Sequence, residues 1–433
     1  MKKLWILLLV VIMTLSMAAC GSEPATDNGG STDDVASKET VTKEEMIELS
    51  MMVNFQPNEP VVGALQAAID GFQAENPNIM ITLTPGNSDY EALMKTKMAT
   101  NDLPDIWSTH GWSVMRYSEY LEPIEDQAWV KDLHPSIAPV ITNNDGQIFV
   151  IPMDVDVAGI AYNKDVLTDA GVDITTIKTW DDFYGAMETI KNNGVTPIHM
   201  GGKDNWTVGA FFDWLAPSLY ITDETRYKGD ELLAGTFDTD IWTEGAELCI
   251  ELADKGYLNV DMLTSGFSDS ARSLAEGSSA FVILGNYVIT EALTYKEDAN
   301  LGFFPVPAYY EGDEPSLISG ERTALGIWKD SPNKDAAKKF FDYLATPDVM
   351  ASVASANGVP AGLVTATSDT GILADSYEQW QDVEAFPYFD RAFLPSGMWD
   401  TMCTTGTGAL SGEMTPEEVS AQMLSDFTKL YNQ

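Results

Sequence analysis

Along this chain, short runs of apolar residues take turns with longer segments whose apolar residues recur every three or four positions. Ile47 to Val53 reads as a strand, and Pro60 to Glu75 as a helix with Val61, Leu65, Ala68, Ile69 and Phe72 on one face, stopped by Asn76-Pro77-Asn78. Ile79 to Leu83 is the next strand. Tyr90 to Thr100 is a helix, with Leu93, Met94, Lys97 and Met98 at helical spacing, and Asp105 to Ser108 is a strand after Pro104. Three βα units are thus stacked near the start of the body, a pattern that implies parallel sheets with crossover helices.

The pattern resumes with strands at Gln147 to Pro152, Val157 to Tyr162, Thr196 to Met200, Ser279 to Leu284 and Thr323 to Trp328. Thr179 with Asp182 forms a variant capping box at the start of a helix from Trp180 to Asn192. Ser331-Pro332, Thr346-Pro347 and Thr415-Pro416 each place a hydroxyl at a cap and proline in the first turn, opening helices at Lys334 to Ala345, Asp348 to Ala356 and Glu417 to Tyr431. No internal repeat is visible.

The N-terminus breaks this pattern. Lys2 and Lys3 precede the apolar stretch Leu4 to Val11, which is shorter than the ~20 residues a spanning helix needs, and Ala18-Ala19 then lead to Cys20. That order is a secretory signal with a site for cleavage before Cys20. Met17-Ala18-Ala19-Cys20 resembles the lipobox of bacterial lipoproteins, which implies a diacylated Cys20; an ordinary secreted protein is the alternative. Gly21 to Thr42 is polar and small-residued, too poor in apolar surface to order itself, and as a flexible tether it would reach on the order of 25 Å.

The ~390 residues that follow exceed one typical core and suggest two domains. Net charge is −42, with the acids scattered, so the surface stays soluble but repels phosphate backbones and anionic headgroups; nucleic acid is not an expected partner. Cys249 and Cys403, the cysteines beyond Cys20, make no disulfide scaffold and no zinc spacing, and are read as free, with a disulfide between them left open. His110, His134 and His199 form no metal-ligand spacing, and there is no H-E-x-x-H, phosphate loop or G-x-S-x-G elbow, so neither metal nor cofactor is expected.

Several segments in one order resemble the sugar-binding, maltose-binding-protein-like group of extracellular solute-binding proteins of ABC importers. They are Leu103-Pro104-Asp105-Ile106 after Asn101-Asp102, Ile151-Pro152, Gly159 to Asp165, Thr179 to Phe183, Leu274 to Asn286 (LAEGSSAFVILGN), Asn333 to Leu344, and Val359-Pro360. The resemblance implies an α/β, two-lobed periplasmic-binding-protein-like fold, each lobe a doubly wound sheet flanked by helices. It also implies a carbohydrate bound in the interlobe cleft, hinge closure and a membrane permease as partner. The expected division is a signal peptide at 1–19, a lipidated tether at 20–45, a first lobe of 46–155 plus about 306–365, and a second of 156–305 plus about 366–433. The protein is expected to be monomeric.

Sugar recognition needs flat aromatic faces for the C–H side of a ring and fixed polar groups for its hydroxyls. Loops at strand ends supply such pairs: His110 with Trp112, Lys203 to Asn205 with Trp206, and Asn286 with Tyr287. Trp399 stands where the resembled family often has a stacking tryptophan. Asp154 and Asp156 alternate on a crossover, so an extended chain would point both the same way; the resemblance favours Asp156 as the ligand contact. Glu321 and Arg322 lie on another crossover and are suited either to bidentate hydroxyl binding or to a hinge salt bridge. Trp107, Trp180, Trp214 and Trp328 are read as core. Two rival readings remain: a secreted glycosidase using paired carboxylates, and the same fold carrying a non-sugar solute.

Overall fold

The structure is a computed structural model that describes residues 46–86, 90–109, 111 and 113–432; the signal, Cys20 and the tether lie outside the described residues, as do His110 and Trp112. Its strands are β1 (Ile47–Val53), β2 (Ile79–Pro85), β3 (Ile106–Ser108), β4 (Val150–Pro152), β5 (Val155–Ala158), β6 (Ile160–Asn163), β7 (Thr196–Ile198), β8 (Ser279–Val282), β9 (Leu301–Phe304), β10 (Leu317–Glu321), β11 (Ala324–Ile327) and β12 (Ala385–Pro387). They form three sheets, of order β2-β1-β3-β11-β4, β7-β8-β6-β9 and β12-β10-β5.

Two hydrophobic cores result, one per lobe. In the first, β1 pairs in parallel with β2 and β3, and the helix Pro60–Glu75 lays Leu65, Ile69 and Phe72 against them. Phe72 meets Phe340 of the helix Lys334–Leu344 edge to face at 5.1 Å. Each such fully buried side chain is worth about 1.5–3 kcal/mol. The second core gathers Phe183 of the helix Trp180–Asn192, Trp214 of the helix Trp206–Tyr220, Trp242, Phe281 and Phe304. Thr179 and Asp182 close the capping box read from sequence. Both sheets are mixed: β11 runs antiparallel to β3 and β4, and β6 to β8 and β9, because these strands carry the chain between lobes and enter their sheets from the far side.

The crossovers hold the third sheet, in which β5 and β10 pair antiparallel and β12 adds in parallel. Val155 packs in the first core and Ala158 in the second, while Leu317 and Ile318 pack in the second and Ala324 in the first. The chain therefore rejoins the first core at β11, later than the sequence suggested, since Val306 also packs in the second core. The stretch expected as one strand from Val157 to Tyr162 is two strands in two sheets. The break is Gly159, where an added Cβ would lie 2.0 Å from the Phe304 carbonyl oxygen, so only glycine permits that approach.

The caps also differ from expectation. Ser331 does not cap the helix Lys334–Leu344; its hydroxyl donates to Asp105 Oδ1 at 2.6 Å and ties the turn to β3. Thr346 precedes Pro347, but its hydroxyl donates to the Tyr343 carbonyl and makes no cap bond. Thr415 does form a full capping box, with Glu418. Cys249 and Cys403 are free and buried. Among the described residues no helix is long and apolar enough to cross a membrane.

Candidate functional site

Where the crossovers meet, a set of charged and aromatic side chains is buried at the junction of the lobes. Asp156 on β5 faces Gly320 on β10. Gly320 lacks the Cβ that would otherwise strike the Tyr388 ring at 2.1 Å, so that ring lies flat on the strand and its hydroxyl donates to Asp156 Oδ2. The Arg391 guanidinium stacks on Tyr388, 4.0 Å from its centroid, and Nη1 donates to the Glu321 carbonyl at 3.1 Å. From the first lobe, Gly111 adopts φ 89° directly over Arg391, and the Ser113 N–H donates to Glu321 Oε1 at 2.8 Å. Arg322 lies 5.4 Å from the Tyr287 centroid, and Asn286 Nδ2 donates to the Val157 carbonyl and to the Tyr377 hydroxyl.

Among the described residues, the buried polar atoms of this set without a hydrogen-bond partner include Asp156 Oδ1, Asn286 Oδ1, Glu321 Oε2 and Arg322 Nη1. An orphaned buried polar atom costs about 1–3 kcal/mol, so four in one cluster mark a place built to be completed. Burial pushes the Asp156 carboxyl upward, opposed chiefly by Arg322 and by the Tyr388 hydrogen bond. Burial raises Glu321 likewise, opposed by the Ser113 N–H and by Arg391. Two carboxyls and two guanidiniums balance one another, and hydroxyls that both donate and accept can serve all four open atoms. Beside them, Trp206 packs on Phe267 and Tyr287 at 5.2 and 6.2 Å, an aromatic wall on the second lobe.

The structure thus brings together Asp156, Asn286, Tyr287, Glu321 and Arg322, with Trp206 alongside. Asp154 is elsewhere in function: Oδ1 accepts from Thr323 N at 2.8 Å, and Oδ2 accepts from Thr323 Oγ1 and Asn357 Nδ2, both at 2.6 Å. It is fully buried with both oxygens engaged, so its work is to tie two crossovers together, and the expectation of a ligand contact there is corrected. Trp399 sits half-buried on the first turn of the helix Met398–Ser411, packed against the second core. His110 and Trp112 lie outside the described residues. Tyr377, Tyr388 and Arg391 escaped the sequence reading. The run Tyr388-Phe389-Asp390-Arg391, with aromatic, acidic and basic residues adjacent in a short irregular stretch, was the one available signal.

The bacterial extracellular solute-binding protein family model matches residues 57–351. The chain belongs to that family. It is 34% identical over 366 residues to the melibiose/raffinose/stachyose-binding protein MelE of Bacillus subtilis, covering 84% of this chain and 85% of that one. It is 21% identical over 412 residues to the multiple sugar-binding protein of Streptococcus mutans, covering 92% and 90%. A sugar transporter of Bacillus licheniformis, solved in complex with stachyose, superposes with TM-score 0.79 at 35% identity, over 89% of this chain and all of that one. A binding protein of Bacillus subtilis in an open conformation superposes with TM-score 0.82 at 31% identity, over 90% and 98%. The family's oligosaccharide-binding, ABC-importer group is where this extracellular solute-binding protein falls, and it is not an enzyme. The glycosidase reading is set aside on that ground.

Proposed function

We propose that this protein captures α-galactosyl oligosaccharides of the melibiose, raffinose and stachyose series between its lobes, closes on them, and delivers them to an ABC permease in the membrane. The observation that carries the reading is the group of four buried, partnerless polar atoms on Asp156, Asn286, Glu321 and Arg322, set beside the aromatic wall of Trp206, Phe267 and Tyr287. A sugar ring supplies hydroxyls to the first and a C–H face to the second. The sugars bound by MelE and present in the stachyose complex support the choice of series. The lobes are 46–155 with the chain from β11 to about 365, and 156–318 with the C-terminal segment. Diacylated Cys20 anchors the body to the outer face of the cell membrane. A thermal-shift panel of stachyose, raffinose, melibiose, maltotriose and xylotriose tests the ligand. A sugar at a thousand times its dissociation constant adds about 4 kcal/mol, so the galactosides should raise Tm strongly. A larger shift with maltotriose or xylotriose, or none with any sugar, would overturn the reading.

A further inference from the structure

Tyr388 and Arg391, which face Asp156 and Glu321, stand on a segment that the second lobe holds from behind. β12 pairs with β10, Tyr388 N donates to the Ser319 carbonyl at 3.2 Å, and a single helical turn, Phe389–Phe393, follows. That turn has no cap of its own, because Tyr388 precedes it and offers no side-chain acceptor to the free N–H groups. The acceptor arrives from another helix. Asp213, on Trp206–Tyr220, takes the Asp390 N–H at 2.8 Å, and so serves as an N-cap supplied across the fold.

Asp213 is 1% exposed on a helix buried along almost its whole length, a costly place for a carboxylate. No lysine or arginine lies within ion-pair distance of it among the described residues; the nearby Arg391 Nε is 3.8 Å from Asp390 Oδ1. The groups facing Asp213 are Asp390 and Arg391 from the turn and the Cys403 thiol from the helix Met398–Ser411, with Tyr388 and Glu321 on the far side of Arg391. The arrangement sets two buried acids side by side.

We propose that Asp213 is a positioning residue for sugar capture: by capping the Phe389–Phe393 turn from the core of the second lobe, it fixes where Tyr388 and Arg391 stand against Asp156 and Glu321. Its surroundings favour the protonated form, whose carbonyl oxygen still accepts the Asp390 N–H. Burial first, and then the Asp390 charge, pushes its carboxyl well above the ordinary range. The sign follows from that. A folded-state value above the unfolded one gives stability that is present in acid and is lost as pH rises through the folded value. Ionisation sets two like charges together under the turn, so sugar affinity falls over the same rise.

This inference rests on the cleft being the sugar site, and the experiment separates the two. Stachyose affinity is measured by calorimetry for the mature chain, Asp213→Asn and Asp213→Ala from about pH 5.5 to 8.5, with Tm recorded without sugar over the same range. Asparagine keeps the carbonyl acceptor and cannot ionise. Asp213→Asn should bind within about twofold of the parent in acid and hold its affinity as pH rises, while Asp213→Ala should bind about tenfold or more weakly. The sugar-free Tm of the parent should fall relative to that of Asp213→Asn as pH rises. Asp213→Asn as weak as Asp213→Ala, or Tm profiles of parent and Asp213→Asn that run parallel, would overturn the role. If the alanine variant does not fold, the parent and asparagine profiles decide alone. If the parent fails to bind stachyose at any pH, the ligand reading falls, and the sugar-free profiles still judge Asp213.

Discussion

Asp154 and Asp156 are two residues apart, similarly buried, and should behave in opposite ways when removed. Asp154→Ala deletes three hydrogen bonds, of 2.8, 2.6 and 2.6 Å, that join the crossover at 152–158 to Thr323 and to Asn357. Asn357 retains Thr323 Oγ1 at 2.9 Å, but the Thr323 N–H is left buried without an acceptor. An orphaned donor at about 1–3 kcal/mol, together with charge-assisted bonds of about 1.5–3 kcal/mol each and partial relaxation around the gap, sets the loss of stability at roughly 3–5 kcal/mol. Sugar affinity should change by less than about threefold, under ~0.7 kcal/mol, because no Asp154 oxygen is free to meet a ligand. Asp156→Ala removes a carboxyl already penalised by burial but orphans the buried Tyr388 hydroxyl, so stability should drop by about 1–3 kcal/mol, less than for Asp154→Ala, while one charge-assisted contact to the sugar is lost, about 1.5–3 kcal/mol or ten- to a hundredfold in Kd. Urea unfolding followed by tryptophan fluorescence, and calorimetric titration with stachyose, give the two quantities for each variant. If Asp154→Ala keeps its stability and loses its sugar, or Asp156→Ala does the reverse, the division of labour argued from their hydrogen bonds is wrong.

Trp206→Ala should cost about 1–3 kcal/mol of sugar binding with little loss of stability, whereas Trp214→Ala, which also deletes the indole bond to the Gly159 carbonyl, should cost roughly 3–5 kcal/mol of stability; unfolding titrations beside calorimetry would expose an inverted assignment. Burial holds the His199 imidazole below its ordinary value, so the folded state disfavours the proton and stability is lost as pH falls from the unfolded value of 6.5. His199→Gln should therefore lose less Tm than the parent between about pH 7.5 and 5, and an equal or greater loss would contradict that. Cys20→Ala should release the protein into the medium with its sugar affinity unchanged, as judged by fractionation and titration; continued membrane retention would count against the lipid anchor.

Elements whose own residues decide them were legible. The helices Pro60–Glu75 and Trp180–Asn192 run where their apolar stripes and stop signals place them, and Thr179, Asp182, Thr415 and Glu418 cap as their spacing implies. What failed was decided by distant partners. Nothing local separates Ala158 from Ile160, because both flanks of Gly159 are apolar and β-prone; only the Phe304 carbonyl, more than a hundred residues on, makes the glycine a break between sheets. Ser331 has the form of a cap, but Asp105, just ahead of β3, claims its hydroxyl. The same limit applied to the site. Alternation put Asp154 and Asp156 on one side of an extended chain, yet Thr323 and Asn357 consume one of them and leave the other facing the cluster. Tyr388 and Arg391 belong to a short turn with no periodicity, and their importance comes from Asp213, Gly320 and Gly111, none adjacent in sequence.

The central claim is that a raffinose-series sugar completes the four open polar atoms at the junction of the lobes. A crystal structure of the mature protein grown with stachyose tests it most directly. The account requires ordered density for a sugar ring with hydroxyls within about 2.5–3.2 Å of Asp156 Oδ1, Asn286 Oδ1, Glu321 Oε2 and Arg322 Nη1, and a ring face against Trp206 or Tyr287. Stachyose bound at a different surface, with those four atoms still unmet, would contradict it.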